Sequence, residues 1–295
     1  MLCGTWRNKL ADEISLNEFF IKLAKEVNQQ DKNKRNEHFR EKLLQLKDIG
    51  HGQKSHLPEV FIYPHDIRLK SSAFDISSCK VFSSKKSPLY IQSFGVDQAS
   101  LPCMVMFKLG DDLRQDILTL QLIEVIDHWW LIAGIDFKMK PYRVISTKDQ
   151  IGFVEIVKQS DTVEAIHKKY GGSLGALDKN TIKKYLETSN KEAEFDLVFE
   201  NFRRSVAGYC IATYVLGIYD RHVGNYMVSK NGYFFHIDFG HIFGDYKKKF
   251  GIKRERSKVV LTKEILYAIG NVEDEAYFYN LVVTGFNILR KKSNQ

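Results

Sequence analysis

The stretch YDRHVGNYM, residues 219–227, places a carboxylate at Asp220 and an amide at Asn225 with four residues between them. Shortly after it, HIDFG at residues 236–240 supplies a second carboxylate, Asp238. Asp and Asn offer oxygen donors, which a hard cation such as magnesium prefers, and such a cation bridges nucleotide phosphates. A carboxylate just ahead of those donors is placed to handle an attacking hydroxyl. The chemistry these residue types support is phosphoryl transfer. Either piece alone is common. The two in this order, with a hairpin signal at Asn231-Gly232 between them, form a specific constellation.

The first spacing is that of D-x-x-x-x-N in a kinase catalytic loop, with Asp-Phe-Gly as its metal-binding companion. Such a site also needs a cation on the nucleotide phosphates. Lys108 closes the apolar strand MVMFK, where alternation can turn its ammonium into a cleft, and Asp116 on the following helix is its expected ion-pair partner. SSKKSPL, residues 83–89, offers Ser hydroxyls, backbone amides and Lys86 as a cover for phosphates. It contains no glycine, and the protein-kinase G-x-G-x-x-G occurs nowhere in the chain. YGGSLG at 170–175 does not fit that pattern. The chemistry is a kinase's without the ordinary glycine loop.

These residues need elements to hold them. Leu16, Phe19, Phe20, Leu23 and Val27 predict a helix from residue 15, and HFREKLLQLKDI a second one after the polar break NQQDKNKRN. GHGQKSHLPEV reads as a linker. VFIYP, CKVF, PLYIQSF and MVMFK read as short strands, residues 111–135 as a helix, and YRVIS and IGFVEIV as returning strands. Residues 162–218 read as mainly helical up to the hairpin YMVSKNGYFFHID. The expected fold is α+β and bilobed, protein-kinase-like, with a β-rich N-lobe, a mainly helical C-lobe and a short helical segment ahead of them. The expected boundaries are 1–57 for the helical segment, a helical-domain remnant, 58–157 for the N-lobe ending in a hinge, and 158–295 for the C-lobe.

Bulk properties narrow the partners. A formal charge of +8 over 295 residues favours phosphate-bearing ligands, anionic membrane or nucleic acid. Cys3, Cys79, Cys103 and Cys210 form no CxxC pair, so neither a disulfide framework nor a zinc site is expected, and the setting reads as reducing. The start MLCGTWRNKLADE has no apolar h-region. LIEVIDHWWLIAGI is interrupted by Glu124, Asp127 and His128 and reads as a packed helix, so any membrane contact is peripheral.

With these motifs in place, residues 60–270 resemble the catalytic domain of phosphoinositide 3-kinases. The carrying segments are KVFSSKKSPLY, MFKLGDDLRQDILTLQ, GFVEIVKQSDT, SVAGYCIATYVLGIYDRHVGN and HIDFGHIFGDYKKKFGIKRERSKVVLT. The resemblance implies ATP and Mg2+ as cofactors. It puts Ser84 and Lys86 on the phosphate loop, Lys108 on the α-phosphate, and Asp116 and Tyr142 in the inner nucleotide pocket. Glu155 and Val157 become the adenine hinge, Met227 and Ile237 further nucleotide contacts, and Asn225 and Asp238 the metal ligands. Asp220, His222 and His241 are candidates for the proton transfer, with His241 favoured and Asp220 assisting.

The resemblance also explains the charge after Asp-Phe-Gly. Between residues 247 and 258 seven Lys or Arg stand against one Glu. Lys247, Lys248, Lys249, Lys253, Arg254 and Arg256 occupy positions that face headgroup phosphates in class I enzymes, implying the 4,5-bisphosphorylated lipid as substrate. The implied protein is cytoplasmic, recruited peripherally to membrane, with a regulatory subunit of unknown kind and no nucleic acid partner. Two departures stand out. Tyr219 replaces a usually small residue before DRH, and Val223-Gly224 a more polar pair. The chain also ends at ILRKKSNQ within what reads as a mid-C-lobe helix, so the domain is expected to be truncated. The rival readings are a related Ser/Thr protein kinase and a catalytically impaired pseudokinase fragment.

Overall fold

Leu16, Phe20, Leu23 and Val27 recur at helical spacing and are all buried along one face of α1, Gly4–Gln29. The computed structural model describes residues 4–47, 60–96, 102–171, 178–246, 248–249, 252–253 and 259–292. The helix begins at Gly4, well before residue 15; residues 7–12 are exposed and carry no buried stripe for a pattern to reveal. A second helix, α2 at Arg35–Lys47, adds Phe39 and Leu43 to the same core. The chain divides into two units, Met1–Ile117 with Tyr142–Ile156 and Leu118–Pro141 with Val157–Gln295. The first is rich in strands and the second mainly helical, the α+β composition expected.

In the first unit, β1 (Phe61–Ile62), β2 (Lys70–Phe74), β4 (Leu89–Gly95), β5 (Cys103–Leu109), β7 (Ile151–Glu155) and β6 (Val144–Lys148) lie side by side in that order, with β3 (Lys80–Val81) also on β4. Every pair is antiparallel. Along β5, Cys103, Val105 and Phe107 are buried, which puts Met104, Met106 and Lys108 on the other face. Phe107 packs 5.7 Å from the Phe20 ring and 5.0 Å from Phe153, so α1 and the sheet share one core. Strand β2 escaped the sequence reading because its core-facing residue is a serine. Ser71 is buried, and its hydroxyl accepts a 2.8 Å bond from the buried Ser93.

The division between the units falls inside α3, Arg114–Ile132. The second unit continues with α4 (Val163–Tyr170), α5 (Thr181–Ser189), a 3-10 turn at Glu192–Glu194 and α6 (Phe195–Leu216). The mainly helical stretch expected from 162 to 218 is thus several helices. Its first residue belongs to a strand: β8, Ser160–Thr162, pairs with β9 (Tyr226–Ser229), which pairs in turn with β10 (Phe234–His236). Thr162 then caps α4, its Oγ1 accepting the Ala165 N–H at 3.1 Å. The chain goes on through β11 (Lys248–Lys249) and β12 (Ile252–Lys253), paired antiparallel, to α7 (Lys263–Ile269) and α8 (Val272–Lys292). Val198, Phe202, Val206 and Tyr209 of α6 are buried at the centre, and Trp130 Nε1 donates to the Gly285 carbonyl of α8 at 3.0 Å. Among the described residues no helix is long and apolar enough to cross a membrane, and Cys79, Cys103 and Cys210 are free thiols.

Candidate active site

Helix α6 stops where the chemistry begins. Gly217 caps it at φ +56°, a left-handed turn that glycine adopts without strain, and its N–H bonds the Thr213 carbonyl. The chain then enters Ile218, Tyr219 and Asp220, all buried. Asp220 and Asp238 are both held at positive φ, +59° and +60°. Non-glycine residues seldom adopt that region, and Asp is among the few enriched there.

Arg221 joins the two loops that carry these residues. Its Nε donates to the Tyr219 carbonyl at 2.9 Å, and its Nη1 to the carbonyls of Ile237 at 2.8 Å and Asn225 at 3.4 Å. Its Nη2 donates to the Asp238 carbonyl, and its guanidinium lies 5.7 Å from the centre of the buried Phe239 ring. The backbones are tied directly as well: Ile237 N–H donates to Asn225 O at 3.1 Å, and Tyr219 N–H to His241 O at 2.8 Å. The D-x-x-x-x-N loop and the Asp-Phe-Gly are therefore one assembly. Sequence reasoning passed over Arg221, although its place between the candidate Asp and His was the available signal.

Within that assembly Asn225 is buried, its N–H donating to His222 O at 2.8 Å and its side-chain amide to Asp220 O at 2.9 Å. Asp238 is exposed. His222 is exposed, and its Nδ1 accepts the Gly224 N–H at 3.1 Å. His241 is half-buried, with Nδ1 3.2 Å from the Asp245 carboxylate. Tyr219, the departure noted in the sequence, is packed: its buried ring meets Tyr246 edge-on at 5.9 Å. Val223 O accepts the Glu164 N–H of α4 at 3.0 Å, which anchors the other unusual position. Met227 sits in β9 opposite Thr162 and Phe235.

The first unit holds a second group of candidates. Lys108 is paired across the strands with Gly152, where an added Cβ would lie 2.1 Å from the Ile145 carbonyl oxygen. Only glycine fits there. Lys108 Nζ lies 3.4 Å from the Asp111 carboxylate, and Lys86 reaches the same carboxylate and the Gly110 carbonyl. Lys108 thus pairs with Asp111, a partner that the sequence did not suggest beside the expected Asp116. Burial works against the Asp111 charge, but the two ammonium groups outweigh it and hold the carboxyl below its ordinary range. Asp116 and Tyr142 are buried, Asp116 in the first turn of α3. Ser84 is exposed in the turn after β3, its carbonyl accepting the Ser87 N–H at 3.2 Å. Glu155 closes β7, its carboxylate accepting the Arg143 N–H at 2.8 Å. Val157 begins the second stretch of the second unit, its carbonyl accepting the Ser160 hydroxyl at 2.6 Å.

Of the basic strip, Lys248 pairs with Lys253 and Lys249 with Ile252 across β11 and β12. The expectations for Lys247, Arg254 and Arg256 lie outside the described residues.

A catalytic loop locked to an Asp-Phe-Gly, in a chain with a separate antiparallel sheet bearing a lysine, is the arrangement of kinase-like phosphotransferases. Comparison with known proteins narrows this. The family model described as phosphatidylinositol 3- and 4-kinase matches residues 102–295. The chain belongs to that family. It is 41% identical over 244 residues to phosphatidylinositol 3-kinase 2 of Dictyostelium discoideum, covering 82% of this chain and 13% of the relative. It is 43% identical over 240 residues to phosphatidylinositol 3-kinase 1 of the same organism, covering 80% and 15%. With the human phosphatidylinositol 3-kinase C2 domain-containing subunit gamma it shares 36% over 295 residues, 96% of this chain and 19% of the relative. The chain thus spans less than a fifth of the length of these relatives.

Proposed function

We propose that the chain is the catalytic region of a phosphoinositide 3-kinase. It moves the γ-phosphate of ATP to the inositol 3-hydroxyl of a membrane phosphoinositide, preferentially phosphatidylinositol 4,5-bisphosphate. The observation that carries this reading is the Arg221 bridge, which fixes Asp220 and Asn225 against Asp238 in one assembly. The names of the relatives supply the substrate class.

The donor set fits magnesium. The Asn225 amide nitrogen is committed to Asp220 O, which turns its oxygen away from that bond, and Asp238 adds an exposed carboxylate. Those two side chains would hold the ion, whose charge offsets that of the nucleotide phosphates. Lys108 takes the α-phosphate, while Ser84 and Lys86 cover the phosphates. Asp116 and Tyr142 line the inner pocket, Glu155 and Val157 meet the adenine, and Met227 and Ile237 complete the nucleotide contacts.

The hydrogen bonds favour His241 as base over His222. A neutral His222 that accepts at Nδ1 keeps its proton on Nε2 and has no free lone pair there. A neutral His241 that donates from Nδ1 to Asp245 presents a lone pair at Nε2. Asp220 orients the hydroxyl. The basic strip from Lys247 to Arg256 takes the headgroup phosphates, for which Lys and Arg are suited.

The test incubates the chain with labelled Mg-ATP and either a peptide or vesicles of phosphatidylinositol, its 4-phosphate or its 4,5-bisphosphate. The expected product is a 3-phosphorylated lipid, formed fastest from the bisphosphate and lost on chelating magnesium. Label on peptide alone would support the protein-kinase reading. Nucleotide binding without any product would support an impaired fragment.

A further inference from the structure

Among the described residues strand β3 has one sheet neighbour, β4, and on its other side the edge is closed by side chains of α2. Asn36 Oδ1 accepts the Val81 N–H at 2.7 Å, and Arg40 Nε donates to the Cys79 carbonyl at 3.0 Å. Arg40 Nη2 reaches back to Ser77 O at 3.1 Å. Asn36 and Arg40 stand one helical turn apart, so a single face of α2 supplies the donors and acceptor that another strand would have supplied. The loop leaving β3 is the one bearing Ser84 and Lys86.

Arg35, at the start of α2, holds that loop. Its Nε donates to Gln30 O at 3.1 Å and its Nη2 to Asn28 O at 3.2 Å, which fixes the guanidinium on the end of α1. Its Nη1 donates to the hydroxyl of Ser87, a buried residue at φ +46°. That hydroxyl in turn donates to Ser84 O at 3.2 Å. A charge-assisted bond thus feeds a second bond that closes the loop, and each polarises the other. The strained backbone of Ser87 needs such a constraint to persist.

We infer that Arg35 is a positioning residue for nucleotide binding: through the Ser87 hydroxyl it sets the 83–89 loop in its phosphate-covering shape. This rests on the nucleotide role proposed above for that loop. The segment ahead of the sheet is then part of the nucleotide apparatus through the loop that it holds.

The experiment compares the wild-type chain with Arg35→Ala, Ser87→Ala and the double variant. Two readouts are taken: amide exchange at residues 84–87 without nucleotide, and the dissociation constant of a fluorescent ATP analogue with magnesium. Arg35→Ala is expected to speed exchange in the loop and weaken nucleotide binding about tenfold. Ser87→Ala should do much the same, and the double variant no more than either, since both remove one interaction. In turnover the loss should fall on the KM for ATP and leave the KM for lipid unchanged. Unaltered exchange in Arg35→Ala overturns the inference. So does faster exchange with unaltered nucleotide affinity, or additive losses in the double variant. Should Arg35→Ala not fold, Ser87→Ala carries both readouts alone. A wild-type chain that binds no Mg-ATP defeats the proposed function and the nucleotide half of this inference, while the exchange result still decides whether Arg35 holds the loop.

Discussion

Arg221 directs its guanidinium at four backbone carbonyls, those of Tyr219, Asn225, Ile237 and Asp238. Truncating it removes a donor from all four, of which Asn225 O keeps the Ile237 N–H, and loosens two loops whose aspartates sit at positive φ. Displacing a reacting group by about 1 Å costs roughly a hundredfold in rate, so Arg221→Ala should lower kcat by about that factor. Lysine, a single point charge without the planar fork, should restore little of it. Normal kcat in Arg221→Ala, measured on protein with an unchanged melting temperature, would refute the bridging role. The two histidines separate in the same assay. Loss of a general base costs about 10²- to 10⁴-fold, which is the fall in kcat expected of His241→Gln. His222→Gln should lose far less, with Mg-ATP affinity kept in both. A reversed order would make His222 the base.

The elements show where pattern reading succeeds and where it stops. Strands with apolar residues at alternate positions, such as Cys103, Val105 and Phe107 of β5, declare themselves, and so does the stripe on α1. Strand β2 does not, because Ser71 fills a core position through a hydroxyl pair that exists only after folding. Spacing marked Asp220, Asn225 and Asp238 as candidates, whereas the bonds of Arg221 were not legible even from its place between Asp220 and His222, because carbonyl acceptors leave no trace in side-chain identities. Asp111 was missed as the partner of Lys108 for a related reason: local charge pairing depends on how the turn after β5 folds. Helix α3 holds a further case. Asp127 Oδ1 is buried with no hydrogen-bond partner among the described residues, and burial, helped by Asp136 and Glu124 and opposed by His128, pushes its carboxyl up to about 6. The folded state therefore resists ionising it. That resistance is absent below the ordinary carboxyl value of 3.8, where the group is protonated folded or unfolded; it grows as pH rises from there to about 6 and is constant above. Asp127→Asn should stabilise the protein by about 1 kcal/mol near pH 8, a figure discounted for the half of the side chain that water screens. The gain should vanish near pH 4. Thermal unfolding of both proteins across that range checks the sign; a constant difference would place its cause elsewhere than in ionisation.

At the scale of the molecule, charge is concentrated. Residues 247–258 carry a net +6 of the chain's +8, leaving +2 for everything else. A general attraction to anionic lipid needs charge near the leaflet at about 1 kcal/mol per residue, and its reach is about one Debye length. Headgroup selection asks for something narrower: cations at fixed places that distinguish a bisphosphorylated ring from an unphosphorylated one. Lys248 and Lys253 are register partners across β11 and β12, so the backbone brings two of the basic positions opposite each other. The two effects part company in one variant. Replacing Lys253, Arg254 and Arg256 together with Ala should cut turnover of phosphatidylinositol 4,5-bisphosphate by well over tenfold, since the proposed role gives each a charge-assisted phosphate contact to lose. Turnover of phosphatidylinositol, presented in vesicles of matched surface charge, should fall only by the lost membrane attraction, and raising salt to about 0.5 M should erase that smaller difference. Equal losses on both lipids, abolished by salt alike, would make the strip a membrane tether, and the selection of substrate would then have to come from another part of the protein.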